Sequence, residues 1–235
     1  MYLAVPLWTF GPLDLWPFSK KNLDIPQHFP FPTSLLLIHQ SKEMKQQLSR
    51  DLIENLSARV RNTILEVKQF KKSDPEILMS KPAPGSWSVS QVLNHLNSYG
   101  KYYLPLIEAS LKENTGPASK YFTPGFLGNY FTKSMLPKQG VVKNKMKSPV
   151  GHVAASDPDS HEMIEEFLTQ EYLLLELLAQ AELVDLNAIR IPISLTKMIR
   201  LKLGDVFSFI VAHHERHFVQ IRNAMRAIEN NRVPA

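Results

Sequence analysis

The chain has no cysteine among its 235 residues. That excludes disulfides, thiolate metal sites and a cysteine nucleophile, and it fits a reducing, cytoplasmic setting. No apolar run approaches the roughly 18 residues of a membrane span, so no membrane partner is expected. The first residues do not read as a secretory leader: no Lys or Arg precedes Ser19, and Pro6, Pro12 and Pro17 interrupt the apolar start. Internal repeats and block charges are absent too. The net charge of +5 and the pI near 9.3 come from Lys and Arg mixed with acids. Such mixing reads as ordinary solubility, and no nucleic-acid-binding motif accompanies it.

Hydrophobic residues make up 44% of the chain, enough for a core, and they recur at helical spacing. Residues 1–40 are the exception, being rich in Pro and aromatics without a period. They read as an irregular, disordered extension, with Met44 as an alternative start and no role for His28 or His39. From Ser41 to Asn230 the pattern predicts one domain, with a tail at 231–235. Met44, Leu48, Leu52, Leu56, Val60, Ile64 and Val67 predict a first helix over Lys42–Lys71, stopped before Pro75. Ser88 followed by Gln91 is a capping-box signature that starts a second helix at Val89, continuing to about Lys112 with Pro105 inside it. Glu113–Pro158 reads as a long Gly/Pro loop, of the kind that lids and mobile segments use. It includes an apolar patch from Phe122 to Phe131 and a basic run of Lys138, Lys143, Lys145 and Lys147. Asp159 or Ser160 caps a third helix to about Leu183. Asn187–Leu203 is a connector with a short extended piece, and Gly204-Asp205 opens a fourth helix to Asn230. With no convincing sheet, the economical fold class is all-α, a four-helix bundle with a long irregular loop between helices 2 and 3.

The chemistry concentrates in Val211–Ile221, V-A-H-H-E-R-H-F-V-Q-I. His213 and His217 are four apart, so they stand on one helix face. Val206, Ile210, Ile221, Ala224 and Ile228 share that face, whereas Glu215, Arg222, Arg226 and Glu229 take the other, where Glu215 is expected to be solvated. Two imidazoles aimed into an aliphatic core are costly unless each finds a partner, and a shared ion satisfies both. His95, on the second helix, is the candidate third ligand. Three neutral imidazoles suit a transition metal rather than Mg or Ca and leave a position for water or substrate. His214 lies about 100° round the helix and reads as a rim or supporting residue. Tyr99, Tyr102, Arg216 and Gln220 are candidates to orient a ligand or bond a histidine nitrogen. H-E-R-H fails as a zincin motif, because Phe218 stands where the second histidine must be. His152 has no motif behind it, and His161 reads as a surface residue.

The stretches S-W-S-V-S-Q-V-L-N-H-L and L-G-D-V-F-S-F-I-V-A-H-H-E-R-H-F-V-Q-I resemble the DinB/YfiT-like superfamily, over about Glu43 to Ile228. The resemblance implies a four-helix bundle whose second and fourth helices supply three metal-binding histidines, here His95, His213 and His217. His214 falls at a position that varies in the family. It also implies a metal-dependent enzyme using zinc or nickel. That enzyme would be either a transferase with a low-molecular-weight thiol of the bacillithiol type as co-substrate, or a hydrolase acting on a small molecule. A non-catalytic, stress-associated binding or homodimeric protein with a structural metal site is the competing expectation.

Overall fold

The structure is a computed structural model that describes residues 45–138, 140–142 and 147–232. The extension 1–40, with His28 and His39, lies outside these residues. So do Met44, Lys143 and Lys145 of the basic run, and the last three residues.

The chain is mostly helical. Four long helices carry the core: α1 (Ser49–Phe70), α3 (Val89–Glu113), α5 (Ser160–Ala181) and α6 (Leu203–Arg232). Two shorter ones, α2 (Pro75–Met79) and α4 (Phe126–Met135), join them. α1 packs on α5 and α6, α3 packs on the same two, and α4 lies along α6. The apolar stripes of the helices meet at the centre: Leu56, Val60 and Val67 of α1, Val92, Leu96 and Ile107 of α3, Leu174 and Leu178 of α5, and Val206 and Ile221 of α6 are all buried. Each such side chain contributes about 1.5–3 kcal/mol of burial.

Capping chemistry sets the boundaries. At α3 the Ser88 side chain accepts from the Gln91 amide while Gln91 returns a bond to the Ser88 amide, a closed capping box. Asp159 caps α5 by accepting from the Glu162 amide at 2.8 Å. The first helix differs from expectation. It starts at Ser49 rather than Lys42, because Gln47–Leu48 (β1) pairs antiparallel with Tyr121–Phe122 (β2) and takes that backbone out of the helix. Pro75 does more than stop α1. It sits at the first turn of α2, where its missing N–H costs nothing, and Asp74 caps that turn by accepting from the Glu76 amide.

The 187–203 connector is the larger correction. Arg190–Ile193 (β3) and Thr196–Lys202 (β4) form an antiparallel hairpin with Ile191 opposite Leu201, and the register shifts at Pro192/Ile193. Proline is tolerated there because the ladder is broken beside it. The hairpin then feeds α6 directly. The amides of Leu203 and Gly204, unsatisfied within the helix, donate to the carbonyls of Ile189 and Leu186. Gly204 is required here, since a Cβ would lie 2.6 Å from the Phe122 ring.

The long loop is structured in part. Within it, Phe126–Met135 is helical, and α4 is held at its start by the Asp205 carboxylate, which accepts from the Gly125 amide at 2.9 and 3.2 Å. Further along, a single 3-10 turn (Val150–His152) lies against α3.

Candidate metal centre

α3 and α6 run antiparallel, and the ring contacts give their register. Tyr103 meets Phe209, Tyr99 meets Phe209 and His213, and His95 meets His213 and His217. This register converges three buried imidazoles. His213 Nε2 lies 3.3 Å from His95 Nε2 and 3.1 Å from His217 Nε2, and one nitrogen from each ring falls within 4.8 Å of the others. Two nitrogens bound to one tetrahedral Zn at about 2.05 Å would be roughly 3.3 Å apart, so the group has the dimensions of a coordination site.

Which nitrogen faces inward is fixed from behind. His95 Nδ1–H donates to the His152 carbonyl at 2.6 Å. His217 Nδ1–H donates to Gln220 Oε1 at 3.0 Å. In the neutral tautomers so defined, both Nε2 atoms carry bare lone pairs directed at His213 Nε2. A single N–H on His213 can satisfy only one of them. Protonating the rings instead is opposed by burial, which pushes His95 down to about 4 and His213 and His217 well below the ordinary histidine range. Neighbouring imidazoles add to that effect for His213 and His217. Converging lone pairs that cannot be protonated fit a cation that accepts nitrogen donors.

His152, which has no motif behind it in the sequence, does approach the three histidines. It is buried, its ring stacks on Tyr99 at 3.8 Å, and its Nδ1–H donates to Ser98 Oγ at 2.8 Å while that hydroxyl donates to the His95 carbonyl. The segment after it is fastened to the same helix: Gln91 donates to the carbonyls of Ala155 and Ser156, and Asn94 accepts from the Ala155 amide. Its role runs through a main-chain carbonyl, which no side-chain pattern reports.

The other candidates divide. Tyr99 packs among the histidine rings, and Gln220 bonds one of them. Arg216 is buried along the wall of the adjoining cavity. Tyr102 instead donates to the Ile193 carbonyl, tying α3 to the hairpin. His214 is not a rim residue. It is buried away from the triad, against the Phe167 ring and 3.2 Å from Glu171 Oε1. The two groups meet without closing a hydrogen bond: among the described residues neither His214 Nδ1 nor Glu171 Oε2 has a hydrogen-bond partner. Glu215 is half-buried in an ion pair with Arg59 of α1 at 2.6 Å, not free in solvent. His161 is exposed at the start of α5, as expected.

A cavity of about 660 Å³ opens onto all three histidines. Rings and aliphatic chains dominate its walls, among them Trp87, Tyr103, Phe131, Ile193, Leu201 and Phe209. No helix among the described residues is long and apolar enough to cross a membrane.

Comparison with curated proteins and with solved structures gave no match. Residues 46–221 match a family model, that of the DinB superfamily.

Proposed function

Because the chain belongs to the DinB superfamily, we propose that α1, α3, α5 and α6 form its four-helix bundle and hold one divalent transition metal, zinc or nickel, on His95, His213 and His217. The reaction proposed is transfer of a low-molecular-weight thiol to a small electrophile. The observation that carries this reading is the convergence of three Nε2 atoms at the wall of a cavity large enough for small molecules. Three protein nitrogens facing open space are the pattern of a working site, whereas a structural ion is closed off by a fourth protein ligand.

A bound ion would lower the pKa of a thiol or water reaching its remaining position. The chain's own residues do the rest. His152 O and Gln220 Oε1 hold two imidazoles in the donor tautomer. Tyr99 packs on the His95 and His213 rings and holds them in place, and the cavity walls bring the two reactants together. In the transfer a sulfur–carbon bond forms, the carbon–leaving-group bond breaks, and the thiol proton passes to solvent.

Purified protein is loaded with zinc or nickel and bound metal is counted. It is then offered a thiol with an electrophile such as an aryl halide, and products are identified by mass. One metal per chain and thiol conjugates above the uncatalysed rate are expected. The individual variants His95→Ala, His213→Ala and His217→Ala should each lose both. Product that forms equally well without thiol would replace transfer with hydrolysis. One metal per chain with no turnover of either kind would leave only a structural site.

A further inference from the structure

Residue 152 is gripped from two sides by one residue of α3. The His95 ring donates from Nδ1 to the His152 carbonyl at 2.6 Å. The His152 ring returns to the His95 main chain through Ser98: its Nδ1–H donates to Ser98 Oγ at 2.8 Å, and that hydroxyl donates to the His95 carbonyl at 2.6 Å. These three bonds close a ring, with Tyr99 stacked on the His152 imidazole at 3.8 Å. The residues that follow are fastened earlier on the same helix. Gln91 Nε2 donates to the carbonyls of Ala155 and Ser156, and Asn94 Oδ1 accepts from the Ala155 amide. Before the clasp, the His152 amide donates to the Pro149 carbonyl at 2.9 Å and keeps the turn Val150–His152 compact. Residues 148–156 thus form a strap across α3, and Ser148, Pro149 and Val153 of that strap are part of the cavity wall.

The clasp accepts one neutral form of His95. With the proton on Nε2 instead, a bare Nδ1 would face the His152 carbonyl oxygen at 2.6 Å, lone pair against lone pair. Nε2 would then present a hydrogen toward His213 in place of a donor pair. The Ser148 hydroxyl lies 3.5 Å from Nδ1, too far to supply a strong replacement bond. A docked strap therefore selects the tautomer that can bind an ion. The converse also holds: an ion on Nε2 fixes the proton on Nδ1 and makes that N–H a stronger donor to the carbonyl behind it.

We infer that docking of the strap 148–156 and metal binding at His95 are coupled, each strengthening the other, with His152, Ser98 and Gln91 as positioning residues; this coupling rests on the metal reading above. Such coupling is reciprocal: the factor by which the docked strap raises metal affinity is the factor by which metal stabilises the docking. Because the strap is also cavity wall, loading the site firms the surface against which a substrate packs, and losing the metal loosens it.

Gln91→Glu acts on the strap at a distance. It keeps an Oε1 acceptor for the Ser88 amide, so the capping box survives, but it loses the donor to Ala155 and Ser156 and sets a carboxylate against their carbonyls. Ser98→Ala removes the bridge to His152, and Ser98→Thr keeps its hydroxyl. Zinc affinity of the full chain is measured by competition with a chelator. Hydrogen exchange of peptides covering 148–156 is followed by mass spectrometry with and without zinc. Zinc should slow exchange of the parent strap by about tenfold or more. Gln91→Glu and Ser98→Ala should each weaken zinc by a similar factor and lose the slowing, whereas Ser98→Thr should retain both. The slowing in the parent and the affinity lost in the variants should agree within about threefold. Exchange over α1 should match the parent throughout, which separates undocking from unfolding. Zinc bound without any change in strap exchange, or variants at parental affinity, would overturn the coupling and leave the three-histidine site standing. Equal losses in Ser98→Thr and Ser98→Ala would overturn it as well, as a packing effect. A parent chain that binds no zinc would remove the site and the coupling together.

Discussion

Replacing His214 by alanine separates a ligand role from a packing role, because His214 and His213 are chain neighbours with different surroundings. His214 is 5% exposed and Glu171, beside it on α5, is 1% exposed. Truncating the ring removes the nitrogen that lies 3.2 Å from a buried carboxylate, and it vacates the space beside Phe167. Emptying the volume of a buried side chain costs roughly 2–5 kcal/mol, and leaving the carboxylate without its polar neighbour adds to that. With an m value of about 2 kcal/mol per molar urea, the unfolding midpoint should fall by roughly 2 M. Metal stoichiometry should stay at one per folded chain, in contrast to His213→Ala, which should lose metal. The double variant His214→Leu/Glu171→Leu should recover most of the lost stability, because an apolar pair of similar volume replaces the buried polar pair. Urea titration of metal-free protein followed by circular dichroism gives the stabilities, and elemental analysis gives the metal. The reasoning fails if His214→Ala folds normally yet loses its metal, or if the midpoint moves by less than about 0.5 M.

Three further outcomes follow from named contacts. Burial holds His95 near 4 and His213 and His217 well below the usual value, so in acid the unfolded chain takes up protons first. Stability of the metal-free protein should therefore be full above about pH 6.5 and decline as the pH drops toward 4, with a shallower decline once all three are glutamine; melting temperature against pH reports both. Asp205 has the opposite sign. Burial, countered by the Gly125 amide, Lys202 and Arg190, raises it to about 6, so stability falls as pH rises from the ordinary carboxylate value to that point, by at most about 3 kcal/mol. Asp205→Asn keeps an acceptor for Gly125 and should melt higher than the parent at pH 7, with the gap closed by pH 3.5. Gly128→Ala would put a methyl 2.2 Å from the Asp205 carboxyl carbon, so it should cost about 1–3 kcal/mol in a urea titration; an unchanged midpoint would mean that α4 is free to shift.

What could be read from the chain is what local rules govern. The α6 stripe, the Ser88–Gln91 box and the Asp159 cap each involve residues within a few positions of one another, so spacing alone predicts them. The facing of His213 and His217 inward belongs to the same class. The β1–β2 and β3–β4 pairings do not, because register across separate segments depends on where the helices bring them. Residues 187–203 had the composition of an extended piece, but the fold decided what it paired with. His152 was harder still, since the carbonyl it offers to His95 is a group that every residue carries.

The Glu171–His214 contact is different, because its signal was present in the sequence. Glu171 falls on the stripe Phe167, Glu171, Leu174, Leu178, all buried positions of α5 at helical spacing. A carboxylate on an apolar stripe is expensive unless something meets it. On α6, His214 is the histidine that the coordination geometry leaves over, yet it too lies between core residues, Val211 and Phe218. Each side chain is a polar misfit on its own helix, and the two lie 3.2 Å apart. α5 and α6 face each other across the core, each flanked by α1 and α3, and the misfits are accommodated where they share one location, so the polar remainder of one stripe predicts its partner on the other. The same logic joins His95 to His213 and His217. In this protein, buried polar residues that break an apolar period mark where two helices meet, and so carry tertiary information that periodicity alone does not.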